Sequence, residues 1–279
     1  DLLAKQFKKL RYKIRTIKVA DIKFKNNSNN LKVIDIPIKF GNPFKVNSNE
    51  SSNYILKSLN LAHYLIKRKY AKAIINCPIN KKLIQKSKKI GVTEFFASKC
   101  KIKDSSEIMF IHNKNFSVVP LTTHFDIKNV TKNISRSIIN KKLITLNREF
   151  KKLFKFKPKI GVLGLNPHNS ELKRNSEEVK IIIPSILKLK RKGFKIDGPL
   201  VADTLFINNY ISYNVVVGMY HDQVLTPIKT IYEYDAINIT LGLPFIRISP
   251  DHGPNEKMIG KNLSNPLSLI KAIKFLDKN

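Results

Sequence analysis

Residues 215–229, VVVGMYHDQVLTPIK, decide how the rest of the chain is read. Val215, Val216, Val217, Gly218 and Met219 form a short apolar run of the kind that is buried on both faces of a parallel sheet. Tyr220, His221, Asp222 and Gln223 then turn the chain polar at once. In an open α/β sheet ligands bind outside the carboxyl ends of the strands, so a strand that ends in an imidazole and a carboxylate points there. Two other runs end the same way. SVVPLTTHFD (117–126) delivers His124 after Thr122 and Thr123, and KIGVLGLNPHNSE (159–171) delivers His168 after Asn166 and Pro167.

Working outward, segments of helical periodicity alternate with these strands. Helices are expected at 48–69, 134–154, 176–193 and 267–278, where apolar residues recur three or four apart. Further strands are expected at 14–20, 31–38, 70–81 and 236–249, with residues 1–50 strand-rich overall. Residues 197–206 and 250–266 read as loops, and Gly91-Val92-Thr93-Glu94 as a turn. The alternation defines an α/β fold with a largely parallel sheet. No internal repeat and no long linker interrupts it.

Composition narrows the function classes. No apolar stretch approaches the roughly 18 residues of a membrane span, and the start carries no signal-peptide pattern. The first residue is Asp1, and the N-terminus is read as cut back. Two cysteines, Cys77 and Cys100, cannot make a disulfide framework, which fits a reduced cytoplasmic setting. Cys77 lies in an apolar run and is expected in the core. The net charge of +32 comes from 52 Lys and Arg against 20 Asp and Glu. The lysines are scattered rather than clustered, in a chain also rich in Asn and Ile. That pattern reads as a compositional drift with lysine as a general surface residue, and favours attraction of an anionic substrate over nucleic-acid binding.

Three of the six histidines sit at strand ends. If the ends converge, His124, His168 and His221 form one cluster suited to a divalent transition metal such as zinc or cobalt, with positions left open. Asp126, Glu171 and Asp222 stand near them in sequence and could orient the rings. His63 falls in a helix and His112 in a turn, and neither is assigned a role. Lys229, Asn238 and Arg247 lie on or beside the last strands, and arginine grips phosphate or carboxylate with a fork of donors.

GVTEFF, PLTTH, GLNPHNSE, GPLVADTLF, MYHDQVLTPIK and NITLGLPFIRISPDHG, taken together and in this order, resemble the motifs of the 4-hydroxythreonine-4-phosphate dehydrogenase family from about residue 53 to 279. The resemblance implies an isocitrate/isopropylmalate dehydrogenase-like fold with two α/β/α subdomains and the active site in the cleft between them. The whole of 1–279 is then one catalytic unit, with approximate subdomains 1–90 plus 230–279, and 91–229. It also implies a homodimer with a shared active site, NAD (or NADP) and a divalent metal (Zn, Co or Mg). Carried over by motif, His124, His168 and His221 bind the metal at the dimer interface, and Thr93, Lys229, Asn238 and Arg247 contact the substrate. Lys229 and Asp203 are the candidates for proton transfer. His252, Gly253 and Asn265 resemble the adenosine-side loop of the related dehydrogenases; no GxGxxG is present, so NAD rests on the resemblance alone. Two departures stand out. The family's GHTE reads Gly91-Val92-Thr93-Glu94, which replaces a substrate-binding histidine by Val92, and its DHGTA reads Asp251-His252-Gly253-Pro254-Asn255.

The expected reaction is oxidation and decarboxylation of 4-phosphohydroxy-L-threonine in vitamin B6 biosynthesis. The rivals are a dehydrogenase of a threonate or erythronate 4-phosphate, a basic nucleic-acid-binding protein, and a metal hydrolase that uses the same histidines without NAD.

Overall fold

The computed structural model describes residues 1–19, 29–85, 91–102, 106–114 and 116–278. Ala20, the last residue of the strand expected at 14–20, lies outside the described residues. The chain divides into two compact units, Asp1–Cys100 with His252–Pro266, and Lys101–Asp251 with Leu267–Asn279.

In the first unit, α1 (Leu2–Lys9) corrects the expectation that residues 1–50 are all strand and loop. Leu2, Leu3, Gln6, Phe7 and Leu10 are half-buried while Ala4, Lys5, Lys8 and Lys9 are exposed, which is a helical spacing. Two short strands, β1 (Thr16–Lys18) and β2 (Leu31–Val33), pair in parallel with Thr16 opposite Leu31. The helix expected at 48–69 is α2 (Ser48–Lys67), capped by the Asn47 side chain, which accepts from the Asn49 N–H at 2.8 Å. Its buried residues Ser52, Leu59 and Ile66 repeat every seven positions, so they form one stripe. β3 (Ala73–Ile75), α3 (Lys81–Gln85) and α4 (Val92–Lys99) come next. Residues 91–94, read as a turn, are the start of α4, with Gly91 as its N-cap and Phe95, Phe96 and Ala97 buried. Cys77 is exposed, against the core position expected for it, because it lies on the segment that has already left β3 before Pro78.

The second unit carries β4 (Ile108–His112), β5 (Ser117–Thr122), β6 (Lys159–Leu163), β7 (Lys195–Leu200), β8 (Val215–Tyr220), β9 (Ile237–Leu241) and β10 (Ile246–Pro250). Its helices are α5 (Ile127–Val130), α6 (Arg136–Phe154), α7 (Ile183–Arg191), α8 (Ala202–Asn208), α9 (His221–Tyr232) and α10 (Leu267–Lys278), and a π-helical turn, Glu178–Ile182, leads into α7. These strands run in the order β10-β9-β4-β5-β8-β6-β7. The β5-β8-β6-β7 half is parallel and the β10-β9-β4-β5 half antiparallel. The sheet is therefore mixed rather than largely parallel, and turn length explains it. A reciprocal pair of N–H···O=C bonds between Asn113 and Phe116 closes β4 onto β5. Gly242, at φ +90°, folds 236–249 back on itself, so the single expected strand becomes β9 and β10. This pairing keeps residues 230–251 with the second unit, and α10 packs on β9 and β10. The boundaries 1–90 plus 230–279 and 91–229 thus divide the chain differently from its compact units.

Ile111, Val118 and Val216 lie in one cross-strand row on one face of the sheet. They join a core with Val224, Leu225 and Ile228 of α9 and Leu205 of α8. The opposite face packs on α6, with the Phe110 and Phe150 rings 6.1 Å apart and edge-on. His112 closes β4 rather than occupying a turn, and its ring lies among Phe110, Phe154 and Phe275. The loop expected at 197–206 splits into the end of β7 and α8. Among the described residues no helix is long and apolar enough to cross a membrane.

Candidate active site

β5 and β8 are parallel neighbours, with Thr122 opposite Tyr220, so the chain leaves the two strands side by side. Every residue of β5 is buried, and the Thr122 hydroxyl donates to the Met219 carbonyl at 2.7 Å, which ties the two ends together. His124 leaves β5 exposed, and His221 opens α9. Their ring centroids are 6.1 Å apart with 36° between planes. The Nδ1 of His221 lies 2.6 Å from the Asp222 carboxylate. A carboxylate only accepts, so Nδ1 carries the proton and the lone pair of the neutral ring sits on Nε2.

β6 runs out beside β8, and its last residues lead into the loop that carries His168. The Gln223 side chain bridges the two strand ends: its oxygen accepts from the Met219 N–H at 2.7 Å, and its amide nitrogen donates to the Gly164 carbonyl at 2.8 Å. A β-carbon on Gly164 would stand 1.9 Å from the Asn169 side-chain oxygen, so only glycine fits there. Asn169 in turn donates to the Pro199 carbonyl at 3.0 Å. The fully buried Glu178 carboxylate accepts the backbone N–H groups of Leu165 at 2.9 Å and Asn166 at 2.8 Å. It also accepts from the Asn166 side-chain amide, at 3.3 Å and 3.1 Å. Burial by itself would raise the pKa of Glu178, but the donors from Asn166 and Leu165 outweigh it and hold the carboxyl below its ordinary range. His168, Asn169, Ser170, Glu171 and Leu172 all have φ between 47° and 55°. A left-handed run costs non-glycine residues roughly 1–2 kcal/mol each. His168 itself is exposed at the start of that run.

The sheet also carries polar groups on β9 and β10. Asn238 lies opposite Ser249 and Thr240 opposite Arg247, and cross-strand partners share a face. Arg247 is 4% exposed and donates to the Thr240 hydroxyl at 3.0 Å. Among the described residues the buried side-chain oxygen of Asn238 has no hydrogen-bond partner. A buried amide oxygen left unsatisfied is costly unless a ligand engages it. The Lys229 ammonium, on α9, donates to the Asp251 carboxylate at 2.9 Å and to its backbone carbonyl; the Asp251 side chain is 8% exposed and that of Lys229 is 42% exposed. Lys142 of α6 donates to the Leu121 carbonyl at 2.8 Å, near the end of β5. Burial pushes the Lys142 ammonium below its usual range, with Glu107 acting in the opposite direction.

The second unit thus holds His124, His168, His221, Lys229, Asn238, Arg247 and Asp203. Of the histidines it brings His124 and His221 together. Asp203 is exposed in the first turn of α8. Thr93, half-buried on α4, and His252, Gly253 and Asn265 belong to the first unit, where His252 Nδ1 lies 3.1 Å from the Gly253 carbonyl oxygen. Asp251, Gln223 and Glu178 are the groups that sequence reading misses. Asp251 and Gln223 sit inside the quoted motifs, whereas Glu178 carries no local signal, since a helix-borne glutamate ordinarily faces water.

The donor set suits a divalent metal in kind. His221, oriented by Asp222 through Nδ1, has the tautomer that ligating histidines use. The gathered set is two imidazoles, however. Among the described residues no three His, Cys, Asp or Glu side chains are grouped to hold a metal ion.

The fold, with these strand ends and its mixed sheet, is of the isocitrate/isopropylmalate dehydrogenase-like class. A 4-hydroxythreonine-4-phosphate dehydrogenase from Klebsiella pneumoniae superposes with a TM-score of 0.85 over 99% of this chain and 86% of that one, at 24% identity, a likeness of fold. The model of the pyridoxal phosphate biosynthetic protein PdxA matches residues 1–276, and the chain belongs to that family. It is 36% identical over 266 residues to a 4-hydroxythreonine-4-phosphate dehydrogenase from Sulfurihydrogenibium sp. (strain YO3AOP1), covering 94% of this chain and 80% of the relative. It is 40% identical over 207 residues to one from Aquifex aeolicus (strain VF5), covering 73% and 64%.

Proposed function

We propose that the chain oxidises 4-phosphohydroxy-L-threonine with NAD as hydride acceptor and releases carbon dioxide, giving 3-amino-2-oxopropyl phosphate for vitamin B6 synthesis in the cytoplasm. The supporting observation is the buried Asn238 oxygen, which has no partner among the described residues, on strands that also carry the buried Arg247. An anionic substrate with an amino group suits both: its negative charge complements the guanidinium, and its amino group is a donor for the amide oxygen.

Each residue has a role in this reading. Arg247 and Thr93 bind the acid and phosphate ends, and Asn238 accepts from the substrate. Lys229, aimed by Asp251, takes the hydroxyl proton in its free-amine form as C3 gives up its hydride to NAD, and returns that proton to carbon after the carboxylate leaves as carbon dioxide. Asp203 is the alternative proton carrier. His252, Gly253 and Asn265 hold the adenosine end of NAD or NADP. A divalent ion (Zn, Co or Mg) on His124, His168 and His221 would supply Lewis-acid help at the reacting oxygen. A homodimer with a shared active site, which the motif resemblance implies, is the assembly we propose; within one chain the His124 and His221 rings stand 6.1 Å apart. The surface charge of +32 draws in the phosphorylated substrate.

The test is NADH formation from 4-phosphohydroxy-L-threonine with added metal, in wild type and Lys229→Met. Turnover by wild type, reduced at least about 100-fold in the variant, is expected for a proton-transfer group. A second reading is favoured by Val92 in place of the histidine: a dehydrogenase of threonate or erythronate 4-phosphate. Activity on those acids, and none on the amino acid, would replace the first reading with the second.

A further inference from the structure

We propose that Glu178 is a positioning residue for the site: its buried carboxylate fixes the Leu165–Asn166 corner and so sets where His168 is presented. The inference rests on reading His168 as a working side chain.

Two independent features lead to it. Glu178 is 0% exposed, and among the described residues its partners are N–H groups rather than a cation. A charge buried without a counter-ion is a poor device for stability, since an uncharged isostere is cheaper to bury. It is a strong device for geometry, because one carboxylate gathers several donors of one short segment. The second feature lies immediately downstream. Five consecutive non-glycine residues, His168 to Leu172, hold left-handed backbone angles, an arrangement that persists only where its surroundings over-determine it. The entry to the segment is held twice: by Glu178 on Leu165 and Asn166, and by Asn169 on Pro199, with the Asn169 side chain against Gly164. The π-helical turn that begins at Glu178 fits the same purpose, since such turns re-aim a side chain without breaking the helix. Glu177 adds a contact to the Asn166 amide at 2.9 Å.

Glu178→Gln is the informative change. The glutamine oxygen can still accept the two backbone N–H groups, but its NH₂ then faces the Asn166 amide, donor against donor. The expected signature separates positioning from bulk stability. Tm stays within a few degrees of wild type or rises, because a buried charge is gone. Amide exchange at Leu165 and Asn166 in the metal-free protein accelerates about 10-fold, because both N–H groups now donate to a neutral oxygen in place of a charged one. Titration of the metal-free protein with Co²⁺, read by absorption, weakens about 10- to 100-fold. Activity falls in kcat with KM for the acid little changed. Exchange at Leu165 and Asn166 equal to wild type would overturn the proposal whatever the metal does. So would accelerated exchange with Co²⁺ affinity and kcat both intact, since the corner would then not govern His168. If wild type itself took up no Co²⁺, the metal reading would fall, and a kcat unchanged in Glu178→Gln would then reject the positioning role.

Discussion

Acidification should destabilise the second unit through His112. This imidazole closes β4 among Phe110, Phe154 and Phe275, with Nδ1 2.9 Å from the Ser117 hydroxyl. Burial drives its pKa from 6.5 down to about 4. The folded state therefore resists protonation while the unfolded chain accepts it, and between these two values the unfolded chain binds more protons. Stability is complete above the unfolded value and is lost as pH falls from 6.5 toward 4. The full difference is roughly 3 kcal/mol, and about 2 kcal/mol of it is lost between pH 7 and pH 5. His112→Phe removes the titration and keeps an aromatic ring among aromatics; the lost Ser117 contact costs about 1 kcal/mol at every pH. The assay is urea denaturation monitored by circular dichroism at pH 7 and pH 5 at fixed ionic strength. Wild type should lose about 2 kcal/mol more than the variant over that interval. Parallel losses in both proteins would refute the burial of a neutral His112, as would an imidazole NMR signal for residue 112 that titrates near 6.5.

Three further predictions concern the site and its supports. Arg247→Lys loses the Thr240 bond and the forked grip on an anion, so KM for the phosphorylated acid should rise about 10- to 100-fold in steady-state NADH assays, with a smaller effect on Tm. Gly164→Ala drives a methyl group onto Asn169; it should cost about 1–3 kcal/mol in a denaturation experiment and raise exchange at the His168 loop. Val92→His should leave kcat/KM on 4-phosphohydroxy-L-threonine unchanged or raise it by up to about 100-fold, the worth of one hydrogen bond to a charged group; a fall would mean that the site has been reshaped around valine.

The sequence by itself determined the α/β class, the strands that lead toward His124, His168 and His221, and the helices α2, α6, α7 and α10. Each is written locally, as an apolar run or a helical period bounded by a cap or a polar break. The motif resemblance added the family, which the similarity along the chain bears out. Sheet pairing lay beyond it. A run such as 236–249 looks like one strand until Gly242 turns it into two antiparallel ones, and pairing is decided by partners far away in sequence. α9 was hidden because Pro227 interrupts its donors, yet Val224, Leu225 and Ile228 find the core and hold it helical. Cys77 went the other way: an apolar run by composition, exposed because its segment leaves the strand. The site shows the same division. Residue types and strand ends named the histidines, Lys229, Asn238 and Arg247. Only tertiary structure set Asp251 on Lys229, buried the Asn238 oxygen away from any partner among the described residues, and buried Glu178 against the Asn166 corner. Those are properties of distance and solvent exclusion, and a one-dimensional pattern carries neither.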